Sequence, residues 1–226
     1  FYKEEKQLFE NELVQINKKL FKLSITRLFV FLSIIFCGWF FFGNMKVIIP
    51  VLIIGIALFF YLVTIYSDLK LLKQKTQELI KINQIEINVL NGDLSDLSDG
   101  DQFKDPTHFY SYDIDLFGKG SFFQYLNRTT VKTGKEKLAA ILCQNGINSI
   151  IEKQNAIKEL SNLAKWRQQF SATGSLIKVD ESIETIVKWL KNHQFFTPKS
   201  MSYLTNVYGG LSLVLFFLSY LSFVPN

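Results

Sequence analysis

Residues 108–143 read HFYSYDIDLFGKGSFFQYLNRTTVKTGKEKLAAILC, and three physical pieces follow one another within them. Residues 112–119 are extended and turn-prone: Asp113 and Asp115 alternate with Ile114 and Leu116 ahead of Gly118 and Gly120. Ser121 stands where an N-cap belongs, because its hydroxyl can accept from an amide of the first helical turn. The short helix it opens carries Phe122, Phe123, Tyr125 and Leu126. Asn127, Arg128, Thr129 and Thr130 break that helix. Thr133-Gly134-Lys135-Glu136 has the spacing of a capping box and predicts a second helix that buries Leu138, Ile141 and Leu142. The pattern is a helix, a break and a helix at the start of a packed domain.

Order and spacing here are specific. Asp115-Leu116-Phe117-Gly118, Gly120-Ser121, Phe123-Gln124, Leu126-Asn127-Arg128-Thr129 and Gly134 come first. Ile151, Gln154, Ala156, Ile157, Leu160 and Trp166-Arg167 follow downstream. Together they resemble the core (lever) region of the MutS mismatch-repair ATPase family, and most closely its membrane-anchored MutS-like members. The resemblance covers residues 90–167. Lys153 departs from it, standing where the family pattern has arginine; the charge is kept and the planar fork is lost.

The resemblance implies an all-α, MutS-core-like fold in which Asp115, Phe117, Gly118, Ser121, Leu126, Asn127, Arg128, Thr129, Gly134 and Gln154 are structural or relay residues. It implies a P-loop ATPase domain, with ATP and Mg, and a homodimer contact in a segment after residue 226. DNA is the partner it implies for the full-length protein. In that reading the present segment relays ATP-driven movement and holds no catalytic, cofactor or metal site. Mismatch reading itself is disfavoured, since no mismatch-reading domain precedes the core and the chain is tied to a membrane.

Hydrophobic residues make up 48% of the 226, but the excess is gathered into a few runs. Residues 28–43 are almost wholly apolar, and residues 47–66 are apolar over about the 20 residues that a bilayer crossing needs. Asn44, Met45 and Lys46 form a tight connection between them, and Pro50 is expected in the first turn of the second run, where a missing amide does little harm. Trp39, Tyr61 and Tyr66 suit interfacial belts, and Arg27 can snorkel to the headgroups. No small-residue cleavage site follows, so a signal peptide is not indicated. Lys18, Lys19, Lys22 and Arg27 precede the hairpin and Lys70, Lys73 and Lys75 follow it, which orients both ends to the cytoplasmic side of an inner membrane.

Outside the hairpin, residues 1–24 carry Phe9, Leu13, Ile16, Leu20 and Leu23 on one helical stripe. That reads as a helix packed on a partner; the rival, a surface-bound membrane helix, conflicts with Glu4, Glu5, Glu10 and Glu12. Residues 67–90 predict a stalk helix with Leu69, Leu72, Leu79, Ile80, Ile87 and Leu90 inward, antiparallel to the first, with Asn83 fixing register on the buried stripe. Residues 91–206 form the cytosolic helical domain. Within it, residues 147–170 predict one long helix facing Ile150, Ile157, Leu160 and Leu163 or Ala164 inward. Residues 172–178 predict a loop, and residues 180–192 a helix with Ile183, Ile186, Val187 and Leu190 apolar. Residues 207–226 predict a third transmembrane helix, ended by Pro225-Asn226. The chain begins at Phe1 and stops after an apolar run, as a fragment of a longer protein would.

Several chemistries are excluded by spacing. Asp93, Asp96, Asp99, Asp101 and Asp105 invite calcium, but Leu97 occupies a ligand place and no glutamate closes the loop, so turn capping is expected. Neither Gly118-Lys119-Gly120-Ser121 nor Gly134-Lys135 has P-loop spacing. His108 and His193 lack partners at metal-ligand spacing. Cys37 and Cys143 cannot build a disulfide framework, and Cys143 reads as a small packing residue in a reduced compartment. The net charge of +5 lies in the flanks of the apolar runs, so it argues little for nucleic acid. A transporter is disfavoured by spans with hardly any polar groups. The remaining alternative is a membrane-anchored scaffold or dimerisation module without repair activity.

Overall fold

The computed structural model describes residues 1–42, 45–144, 146, 148–177, 183–192 and 199–220. Every regular element among them is helical. Helix α1 (Tyr2–Phe40) and helix α2 (Met45–Leu90) are each continuous. The expected boundaries at 24/25 and 66/67 are therefore changes of composition inside unbroken helices, where no Gly or Pro interrupts the ladder. Both helices are long and apolar enough to cross a membrane, with apolar windows of mean hydropathy 2.0 and 2.8. Pro50 lies in the second turn of α2, not the first.

The chain divides into two compact units, residues 1–32 with 57–178 and residues 33–56 with 179–226. In the first unit α1 and α2 run antiparallel, as expected. Lys6 Nζ donates to Gln84 Oε1 at 2.7 Å, and Phe9 packs with Leu79. Phe9, Ile16 and Leu20 are buried along α1. The inward line of α2 matches the expected one in part. Leu79 and Asn83 are buried as expected and Thr76 joins them, whereas Leu72 and Leu90 are exposed. Polar Thr76 is tolerated there because its hydroxyl donates to the Leu72 carbonyl at 3.0 Å, which removes an unpaired buried donor.

The rest of this unit is built from α3 (Phe122–Leu126), α4 (Lys132–Leu142), α5 (Ile150–Ser161) and α6 (Ala164–Ser175). Ser121 caps α3 as expected, accepting from Gln124 N at 3.2 Å. The capping box at Thr133 is not formed: α4 starts at Lys132 behind Val131, which places Thr133 inside the first turn. Helix α4 buries Ala139 and half-buries Leu138 and Leu142, while Ile141 is exposed.

The expected single helix over 147–170 is two, broken at Asn162 and Leu163, where Leu163 leaves the helical region at φ −102° and ψ 47°. Ile150, Ile157, Leu160 and Leu163 are exposed, not inward. Helix α6 instead buries Gln168 and Ala172, so the loop expected from 172 is helical to Ser175.

Two apolar clusters hold the unit. Leu116, Phe117, Phe123 and Ala139 form one, ringed by Phe103, Tyr110, Leu138, Leu142 and Cys143. Phe103, Phe117 and Phe123 meet at centroid distances of 5.3–5.8 Å, in the tilted geometry that aromatic quadrupoles favour. Phe9, Leu79 and Ala172 form the other, where α6 lies on the α1–α2 pair.

In the second unit Gly55 lies against Ile34: a Cβ there would fall 2.6 Å from Ile34 Cγ1. Helix α7 (Ile183–Asn192) exposes Val187, Trp189 and Leu190. Helix α8 (Lys199–Tyr220) starts earlier than the expected 207, and among the described residues its apolar part is Tyr203–Leu218. Residues 221–226, with the Pro225-Asn226 turn, and residues 180–182, with the expected start of α7, lie outside the described residues.

Candidate functional site

The break after α3 is where the motif residues meet the rest of the first unit. Asn127 follows α3 in extended conformation and is buried. Its Oδ1 accepts from Thr129 N at 3.1 Å and Thr129 Oγ1 at 2.6 Å, and its Nδ2 donates to the Ser98 carbonyl at 3.3 Å. All the polar atoms of that amide are engaged, so the break is a fixed corner.

Arg128 projects from the corner to α2. Its Nε donates to Glu86 Oε1 and its Nη2 to Glu86 Oε2 at 3.3 Å, a forked ion pair. Nη1 donates back to the carbonyls of Tyr125 at 2.9 Å and Asn127 at 3.2 Å. The Glu86 side chain is 18% exposed and that of Arg128 36%, so solvent reaches the pair from the arginine side and screens it in part.

A second tie runs in parallel. Gln168 Nε2 on α6 donates to Asn83 Oδ1 on α2 at 2.9 Å, and Asn83 Nδ2 reaches Leu79 O at 2.8 Å and Gln168 Oε1 at 3.5 Å. Both side chains are buried. Asn83, expected to fix register between the stalk helices, pairs with α6 instead.

Between these ties lies a cleft of about 330 Å³, lined by residues of α2, α6 and the corner, including Lys81, Glu86, Arg128, Thr129, Arg167 and Ser171. Its charges are mixed, with Glu78 and Asp96 facing the same space. Neither histidine nor cysteine lines it among the described residues. Charge-assisted bonds at this lining hold the corner to α2.

The other motif residues serve the neighbouring turns. Gln124 accepts from Gly120 N at 2.7 Å and donates to the carbonyls of Leu94 and Leu97 at 3.0 and 2.9 Å, stapling two loops. Gly118 has φ 111° and donates to Asp99 O at 2.9 Å, a conformation that suits glycine. Phe117 is buried, and Leu126 and Asp115 are exposed, Asp115 with a positive φ of 46°. Asp115 and Gly118 border a separate cleft of about 300 Å³ with Lys104 and Tyr112. Gly134 sits in the first turn of α4, with ordinary contact distance to Thr129. Gln154 is exposed on α5, apart from the corner.

Sequence reasoning missed Glu86 and Gln168, because a partner some 40 or 85 positions away leaves no local signature. It also missed Gly100 and Gly174. A Cβ on Gly174 would lie 2.8 Å from Thr130 Oγ1, and one on Gly100, at φ 71°, would lie 2.5 Å from the Phe123 ring.

The aspartates of the 93–105 loop cap turns, as expected. Asp93 accepts from Ser95 N at 2.9 Å, and Asp105 from Thr107 N at 2.8 Å and Thr107 Oγ1 at 2.7 Å. These bonds hold both carboxyls below the usual range. Asp101 raises the Lys104 ammonium through their 2.6 Å pair. His108 bridges Ser111 N at 3.3 Å and Cys143 O at 3.1 Å, a packing role. Burial pushes the Cys143 thiol up, away from thiolate chemistry. His193 lies outside the described residues. Comparison of the chain with protein-family models, with curated proteins and with solved structures finds no match in any of the three.

Proposed function

We propose that this chain is the membrane-borne core segment of a MutS-like ATPase and that it relays nucleotide-driven movement without performing chemistry. One observation carries the reading. Arg128, in the family-like Leu126-Asn127-Arg128-Thr129 run, grips Glu86 on α2, the helix that also holds the more apolar of the two membrane-length stretches. A displacement of the corner therefore acts on α2 directly. The apolar windows of α1 and α2 are 0% and 6% buried, which suits lipid contact better than the core of a soluble protein. In this reading the globular part is cytosolic at an inner membrane, the protein is a homodimer, and ATP, Mg and DNA are handled by the full-length protein.

The experiment is made on the full reading frame, with DNA-stimulated ATPase activity as the readout. Arg128→Ala is expected to keep nucleotide affinity while losing DNA stimulation, and to lower unfolding stability by about 1–3 kcal/mol. Loss of nucleotide binding in a stably folded Arg128→Ala protein would place the residue at the nucleotide instead. A reading frame without G-x-x-x-x-G-K-[ST] favours the scaffold reading, which the exposed Ile151, Ile157, Trp166 and Phe170 of α5 and α6 support as an assembly face.

A further inference from the structure

Arg27 stands apart from the other cations of α1. Between it and Phe40 the helix has no charged residue, and between Lys46 and Asp68 neither does α2. Its guanidinium does not turn away from the apolar surface. It lies over two rings of α2, 4.8 Å from the centroid of Tyr66 and 5.8 Å from that of Phe59. Its Nε is sealed from solvent with no hydrogen-bond partner, and among the described residues no carboxylate pairs with it. A cation held this way on an apolar helix pair is left with unspent in-plane donors.

We propose that Arg27 binds the phosphate of an anionic phospholipid headgroup, with the Tyr66 and Phe59 rings orienting the guanidinium and Lys70 adding a second positive charge. The rings cover the face of the guanidinium, which directs its terminal N–H groups edgewise, the geometry that matches phosphate oxygens in a bidentate pair. Lys70 follows Tyr66 by four residues, so it lies on the same face of α2 one turn beyond the apolar stretch. Asp68, two residues from Tyr66, falls on a different face and is exposed. The position also fits, because Arg27 marks the level at which apolar residues take over on both helices, and lipid phosphates lie at that boundary. A zwitterionic headgroup presents its own ammonium beside Lys70 and is disfavoured.

The site rests on the membrane reading proposed above, and two measurements separate their failures. Flotation of the full chain with vesicles after alkaline washing tests membrane insertion alone. Thermal unfolding of the detergent-solubilised chain is then followed as phosphatidylglycerol, phosphatidylcholine or inorganic phosphate is added. Phosphatidylglycerol is expected to raise the Tm of the wild type, with phosphatidylcholine and inorganic phosphate far weaker. Arg27→Gln is expected to weaken the phosphatidylglycerol effect about 10-fold, in keeping with loss of one charge-assisted fork. Arg27→Lys keeps the charge without the fork and should fall between the two; it also serves if Arg27→Gln does not fold. Equal responses to the two lipids, a matching response to inorganic phosphate, or an Arg27→Lys protein equal to the wild type each overturn the site while leaving a floating chain in the membrane. Failure to float overturns the membrane reading itself.

Discussion

Gly100 shows how much one absent methyl can matter. Its φ of 71° is unfavourable for an L side chain, and the space a Cβ needs is taken by the Phe123 ring at 2.5 Å. Phe123 is the fully buried centre of the aromatic cluster, so the ring has nowhere to retreat. Gly100→Ala is therefore expected to destabilise the chain by more than about 2 kcal/mol, combining backbone strain with overpacking, as denaturant unfolding would record. Ser121 was legible in the sequence because a cap and the amide that donates to it lie three residues apart. Gly100 was not, because the residue that demands it is 23 positions away. The aspartate turns give a pH test. Asp93 and Asp105 have lowered pKa values, so their ionised forms stabilise the folded loop above the ordinary aspartate range of about 4. That contribution is lost as pH falls through the lowered folded values. Hydrogen exchange at the Ser95 and Thr107 amides, corrected for intrinsic rates, should show protection falling on acidification below about pH 4.

Elements were legible where their signals were local and misread where the deciding contact was remote. The two candidate caps make the contrast measurable. Ser121 accepts from Gln124 N, whereas Thr133 sits inside α4 with no capping bond. Ser121→Ala is expected to cost about 1 kcal/mol and Thr133→Ala less than about 0.5 kcal/mol, read from paired unfolding curves. The apolar stripe of α1 was readable from spacing, since its buried residues are Phe9, Ile16 and Leu20. On α2 spacing placed Leu79 and Asn83 correctly on the buried stripe but also pointed to Leu72 and Leu90, and it passed over Thr76. The bond from Thr76 to the Leu72 carbonyl and the Gln168 partner of Asn83 are what helical periodicity does not reveal. The break between α5 and α6 has no Gly or Pro to announce it. Continuous helical periodicity across 147–170 therefore hid it.

At the scale of the molecule, length and hydropathy alone found the two long helices, and their all-helical company followed from capping and periodicity. The third expected span overlaps α8, whose apolar part among the described residues is Tyr203–Leu218. The charge flanks of the two apolar runs predict a topology that can be tested in cells. A Lys46→Cys protein, with Cys37 and Cys143 replaced, is expected to react with a membrane-impermeant maleimide added from outside. Labelling only by permeable reagents would reverse the orientation drawn from Lys18, Lys19, Lys22, Lys70, Lys73 and Lys75.

The paired amides of Asn83 and Gln168 carry a mechanical consequence. Sliding α6 along α2 by one turn, about 5.4 Å, would set Gln168 against the level of Leu79 or Ile87 and strand both amides in an apolar seam. Each stranded group costs about 1–3 kcal/mol, so gliding is resisted and α6 can only tow α2 with it. Within the first unit the two helices are therefore latched like teeth of one rack, and a shift of either carries the other.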